Sequence, residues 1–135
     1  MANDYVLDAH TLIWFIGANP RLGANARTVL QDPASVLYLP VIALAEACWA
    51  VERGRTSIPS VGVLLAEVDA DSRLAIVPLD RAILDRSITL TGISEMHDRQ
   101  IAATVLQLAG ASGPVPPLLT RDPDITVSGL VPIVW

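Results

Sequence analysis

Short apolar runs alternate along this chain with longer segments whose apolar positions recur three to four residues apart. The first kind of segment reads as buried strand and the second as helix. Residues 4–8, around "YVLDA", form the first predicted strand. "HTLIWFIG" reads as a helix that stops at Gly17, and "LGANARTVLQDP" as a second that ends before Pro33. "SVLYLP" is a strand closed by a proline. "VIALAEACWAVERG" is a buried helix that turns polar and ends on Gly54. "SVGVLLAEVDAD" is a helix with Ser60 as its N-cap, followed by the strand "LAIVPLD". "DRAILDRSITL" is a helix that ends near Gly92. "DRQIAATVLQLAG", opened by Asp98, is a longer helix carrying Ile101, Val105 and Leu108 on one face, with Ala102 and Ala109 beside them. After a proline-rich loop, "SGPVPP", come two short strands, "PLLTR" and "VPIVW", with a short connection between them.

Apolar strands separated by helices imply an α/β fold: a central, mostly parallel sheet with helices on both faces. The chain has 135 residues and shows no repeat, low-complexity run or linker, so residues 1–135 read as a single domain. Hydrophobic residues make up 52% and charged residues 17%, more apolar surface than a core of this size requires. That excess suggests an interface, and the helical segments 22–31 and 41–51 are its candidates.

The N-terminus carries Asp4 and Asp8 and does not read as a signal peptide. The longest apolar run, 36–51, contains Pro40 and Glu46 and is short for a bilayer span. The expectation is a soluble, cytoplasmic protein. Cys48, the one cysteine, sits in an apolar segment and reads as a small core residue.

Charge changes the picture. The net charge is −5, which argues against a protein that grips nucleic acid by bulk charge. All nine basic residues are arginine and none is lysine. A phospho-aspartate receiver or phosphatase on such a sheet needs a lysine for the phosphoryl group, so that reading is disfavoured.

In parallel sheets, ligands collect at the carboxyl ends of the strands. Three acids fall there: Asp8 after the first strand, Glu46 in the second turn after "VLYLP", and Asp122 just past "PLLT". Asp98, at the start of the long helix, faces the same edge. Each has a plainer reading. Asp8 and Asp98 are good helix caps, and Asp122 suits the turn "TRDPD". Glu46 has the weakest plain reading, because apolar residues flank it on both sides and a charge there requires a partner. Without these four acids the net charge would be −1. Four carboxylates in one crevice persist only with cations present, and hard divalent ions take oxygen ligands.

Four stretches carry a resemblance. "YVLDAHTLIW", "ALAEACW", "MHDRQIAATVLQL" and "LLTRDPDI" follow one another over residues 4–125. Together they resemble the ordered motifs of PIN domains of the VapC-like toxin group. The resemblance implies a single PIN-like α/β/α sandwich and a metal-dependent endoribonuclease, using Mg²⁺ or Mn²⁺ and held inactive by an antitoxin protein. It assigns Asp8, Glu46, Asp98 and Asp122 to the metal-binding catalytic set, with Thr120 in support and Asp124 as the substitute should Asp122 face away. It also implies a homodimer acting on RNA. The alternative is a PIN-like module that binds a partner protein without catalysis. Arg99 and Arg121 flank site acids and are expected to pair with them or to touch RNA phosphate. His10 and His97 neighbour the acids as ligands, caps or packing groups. Trp14 and Trp49 are expected in the core, with base stacking as the second reading.

Overall fold

The computed structural model describes residues 3–110 and 113–135. Ser112, the first residue of the proline-rich loop, lies outside the described residues. The strands are β1 (Asp4–Leu7), β2 (Val36–Pro40), β3 (Leu74–Val77), β4 (Leu118–Leu119) and β5 (Ile133–Val134). The helices are α1 (Ala9–Ile16), α2 (Ala24–Gln31), α3 (Val41–Glu52), α4 (Val61–Ala70), α5 (Arg81–Thr89), α6 (Met96–Ala109) and α7 (Pro123–Ser128).

All five strands are parallel, in the order β3-β2-β1-β4-β5. This is the expected α/β/α arrangement. β1 lies at the centre: Val6 opposes Tyr38 of β2 on one side and Leu118 of β4 on the other. Val6, Leu7, Leu37, Leu39, Leu118 and Leu119 have no exposed surface. Burying each such leucine stabilises the fold by about 1.5–3 kcal/mol. The chain builds outward from β1 to β3, then returns to lay β4 on the other side of β1. The strand order therefore reverses between β1 and β4, where a crevice opens at the strand ends.

Local chemistry sets the element ends. Ser60 caps α4 by accepting from the Val63 N–H, and Asp80 caps α5 by accepting from Ile83. Gly54, just past α3, takes φ +68°, a conformation that costs glycine nothing. The helix expected to open at Asp98 begins at Met96 instead. Glu95 is its cap, accepting from the Asp98 N–H at 2.9 Å, so Asp98 lies inside the first turn. The third strand is shorter than expected, because Pro78 cannot donate to a ladder. "PLLTR" and "VPIVW" contract to two paired residues each, and the short connection between them is α7.

α3 explains the carboxylate in the apolar segment. Ala43, Leu44, Ala47 and Val51 form one face, buried in the core. Ile42, Glu46 and Trp49 form a second face, directed at a cavity. The expectation that Trp49 packs in the core fails: it is 48% exposed. A helix with few polar residues need not be buried all round if one of its apolar faces lines a cleft. Trp14, by contrast, is buried. Cys48 is half-buried against the core, and burial pushes its thiol pKa up. Of the two helices expected at an interface, α2 spends Ala26 and Leu30 in the core, whereas α3 exposes Val41 and Trp49.

Candidate metal centre and active site

Asp8 directly follows β1, and its geometry is fixed from both sides. One carboxylate oxygen accepts from the Ala9 N–H at 2.7 Å, capping α1. The other accepts from the hydroxyl of Thr120, just past β4, at 2.6 Å. The plain reading of Asp8 as a cap therefore coexists with a place in the crevice. The hydroxyl of Thr11, one turn into α1, donates to the Leu119 carbonyl and ties the helix to β4. Burial raises the Asp8 pKa, although the Thr120 and Ala9 hydrogen bonds pull it back.

Asp122 also does two things. Its Oδ1 accepts from the N–H groups of Asp124 and Ile125, which caps α7, while its own N–H donates to Thr120 Oγ at 3.0 Å. Capping this short helix places Asp124 in its first turn, so the two acids are not alternatives. One oxygen each from Asp98, Asp122 and Asp124 lie within 4.8 Å of one another. Oxygens at that spacing, on carboxylates from two separate helices, suit a hard divalent cation.

Glu46 reaches the crevice from α3. Its Oε1 is buried and has no hydrogen-bond partner among the described residues. Burial, with the charge of Asp8 next in weight, pushes its pKa up to about 7. Asp98 is likewise pushed up to about 7, by burial first and then by Asp122 and Asp8. The acids from four separate segments thus feel one another's charge. The lone Oε1 and the mutual repulsion are what a divalent cation or its water would relieve, so these residues fit a divalent metal.

The arginines depart from expectation. Neither Arg99 nor Arg121 pairs with a site acid. Arg99 turns away and donates to the Ile93 carbonyl, and the Arg121 guanidinium lies 4.8 Å from the Trp14 ring centroid. His97 faces Glu95, with Nδ1 3.0 Å from Oε1, and His10 packs against Trp14 at 5.4 Å.

Asp8, Glu46 and Asp122 line a cavity of about 860 Å³, whereas Asp98 and Asp124 are not among its lining residues and join the site through Asp122. The cavity walls include residues that sequence reasoning did not single out as functional: Arg21, Arg55, Thr56 and the C-terminal Trp135. Trp49, expected in the core, also stands on this wall; the signal that it shares a helix face with Glu46 is its place three residues further on.

A parallel sheet with carboxylates gathered at its switch point defines an α/β protein with a candidate cation site at the ends of its strands. The PIN domain family model matches residues 5–127, and the chain belongs to that family. Solved structures with this fold include a toxin–antitoxin complex from Klebsiella pneumoniae, at 18% identity and TM-score 0.68 over 97% of this chain and 96% of that one. VapC20 of Mycobacterium tuberculosis, a sarcin–ricin loop cleaving toxin, matches at 11% identity and TM-score 0.71, over 96% and 98%. VapBC2 of Rickettsia felis, bound to a promoter DNA fragment, matches at 15% identity and TM-score 0.67, over 97% of both chains. The fold is thus that of VapC-like PIN proteins. No curated protein matches the sequence.

Proposed function

We propose that this chain is a metal-dependent endoribonuclease, the toxin of a toxin–antitoxin pair, with residues 1–135 acting as one catalytic unit. The observation that carries the reading is the partnerless buried oxygen of Glu46, on the wall of the cavity that Asp8 and Asp122 also line, with Asp98 and Asp124 converging on Asp122. A phosphodiester is shielded from attack by its own negative charge. When bound, Mg²⁺ or Mn²⁺ supplies a Lewis acid that neutralises this charge and lowers the pKa of water. Asp98 and Asp122 would hold the ion, with Asp124 close by, and Asp8 and Glu46 complete the acidic set. Thr120 holds Asp8 in one orientation through its hydroxyl. Glu46, whose buried Oε1 has no hydrogen-bond partner among the described residues, offers an acceptor for the proton of the attacking water.

The structural relatives named as toxin–antitoxin complexes support a protein inhibitor for this chain as well. A crevice of carboxylates attracts a guanidinium as readily as a metal ion, so the antitoxin places a basic side chain there or covers the entrance. The reading includes a homodimer, supported by exposed apolar side chains such as Ile88 and Val127. It also includes a cytoplasmic location. No helix among the described residues is long and apolar enough to cross a membrane.

The test is cleavage of RNA by the purified chain in Mg²⁺, in Mn²⁺ and in EDTA, with Asp98→Asn as control. Cleavage that needs the cation and Asp98 supports the proposal. A pure chain that binds a partner protein but leaves RNA intact in both metals overturns it in favour of the non-catalytic module.

A further inference from the structure

The chain has three tryptophans, Trp14, Trp49 and Trp135, and all three line the cavity onto which Asp8, Glu46 and Asp122 open. Its nine arginines divide sharply. The side chains of Arg27, Arg73, Arg81, Arg86 and Arg99 donate to carbonyl or side-chain oxygens of the protein. Those of Arg21, Arg53, Arg55 and Arg121 have no hydrogen-bond or ion-pair partner among the described residues. These four all lie against cavity tryptophans. Arg53 and Arg55 stand 4.4 and 5.3 Å from the Trp49 ring centroid, and Arg121 and Arg21 stand 4.8 and 5.9 Å from that of Trp14.

A guanidinium laid on an indole is held in place by its face, while the N–H donors at its edge stay free. Such donors suit phosphate oxygens. Trp49 keeps 48% of its surface open with both guanidiniums in place, which costs exposed apolar area unless something covers it. In a protein of net charge −5, four uncommitted cations are gathered on tryptophans that share a cavity wall with Asp8, Glu46 and Asp122.

We infer that the Trp49–Arg53–Arg55 stack and the Arg21–Arg121 pair on Trp14 are the two flanks of a groove for single-stranded nucleic acid. A base stacks on Trp49 or on the guanidinium over it, and the arginine edges hold phosphates on either side of the acids. The inference rests on the ribonuclease reading and adds to it the residues that grip the substrate on either side of the acids. Duplex bases cannot stack on a side chain without being unpaired, so the groove selects single strands.

The experiment measures binding of short fluorescently labelled single strands, one of RNA and one of DNA, and of the RNA duplex, in EDTA so that binding is read without cleavage. Trp49→Ala should weaken single-strand binding by roughly tenfold or more, while Trp49→Phe should stay within about threefold yet lose much of the tryptophan quenching seen on binding. Arg53→Ala with Arg55→Ala should reduce the salt dependence by about 1.4 units, the value for two phosphate contacts to a single strand. The RNA and DNA arms report which sugar the groove accepts. Thermal melts of each variant check folding, which exposed side chains should leave intact. Duplex binding as tight as single-strand binding overturns the inference. So does unchanged binding by Trp49→Ala, and a shift of that variant from dimer to monomer would then assign Trp49 to a second copy of the chain. Parent protein that binds strands through Trp49 but never cleaves them sinks the ribonuclease reading and leaves the groove standing. Cleavage that ignores Trp49 does the reverse.

Discussion

The Thr120 hydroxyl donates to Asp8 Oδ2 at 2.6 Å, joining the ends of the two central strands across 112 residues of sequence. The same oxygen accepts from the Asp122 N–H at 3.0 Å. One buried hydroxyl therefore sets the spacing between two acids on either side of the switch point. Its energetic weight is that of any buried pairing: modest when made, costly when half of it is removed.

Thr120→Val keeps the shape and removes both roles, leaving Asp8 Oδ2 and the Asp122 N–H without this partner. The expected loss is about 1–3 kcal/mol of unfolding free energy by urea titration, together with weaker stabilisation by Mg²⁺. Thr120→Ser, which restores the hydroxyl, should recover most of both. A valine variant as stable and as metal-responsive as the parent would show that the hydroxyl positions nothing.

The acids make stability depend on pH in an unusual direction. Glu46 and Asp98 are pushed up to about 7 from ordinary values of 4.5 and 3.8. Between those limits the native state holds protons that the unfolded chain has released. Stability then falls as pH rises through the window and levels off above it. The metal-free protein should melt higher at about pH 5 than at about pH 7.5, and Mg²⁺ should reverse the order. The two groups interact and titrate as a set rather than singly. Glu46→Gln should flatten the profile relative to the parent, and that difference isolates the site from other carboxylates. A metal-free melting temperature that climbs from pH 5 to 7.5 in the parent, with no change in the variant, would contradict this.

Gly23 caps α2 at φ −62°, so no backbone strain calls for glycine there. Close approach does: a Cβ at this position would lie 2.6 Å from the Trp135 ring and from its backbone carbonyl carbon. Trp135 packs edge-on to Trp14, with ring centroids 5.9 Å apart, and so carries part of the cavity wall. Gly23→Ala is expected to cost about 1–3 kcal/mol through overpacking and to change the near-ultraviolet dichroism of the tryptophans. In a background lacking Trp135 the same substitution should be nearly neutral. Equal cost in both backgrounds would place the clash elsewhere.

Much of the architecture could be read directly, because strands such as "VLYLP" and helices such as "DRQIAATVLQL" announce themselves by periodicity. The acids were legible for related reasons: Asp8, Asp98 and Asp122 stand at a strand end or in a first helical turn, where the switch-point rule puts ligands, and Glu46 stands out by its apolar flanks. What escaped depended on partners far away in sequence. α7 buries only Ile125, too little for a periodic signal, although Asp122 followed by Pro123 is a recognisable helix start. Trp49 looked like core because α3 is apolar on two faces, and only the fold shows that one of them lines a cleft. The arginines were least legible of all. Arg73 is consumed by Asp71 and by the carbonyls of Leu30 and Asp32, whereas Arg121 is left on Trp14, and nothing local in sequence separates the two cases.

Asp8 offers the sharpest test of the cluster, because its cap role and its site role predict opposite results. In Asp8→Asn the side-chain oxygen can still accept from Ala9, and the new amide can donate to Thr120 Oγ, which turns from donor to acceptor. The charge is gone. Burial foremost, with the Asp122 charge adding to it, already works against that charge in the parent. The variant should therefore melt at or above the parent in EDTA near neutral pH. Mg²⁺ should then stabilise the parent by mass action, by about 2.7 kcal/mol at a hundredfold excess over its dissociation constant, and the variant much less. Metal-dependent RNA cleavage should drop steeply in the variant. Paired thermal melts with EDTA and with Mg²⁺ decide the matter. An Asp8→Asn protein that melts far below the parent in EDTA would make Asp8 a structural cap, since the only contacts the substitution disturbs are those to α1 and β4.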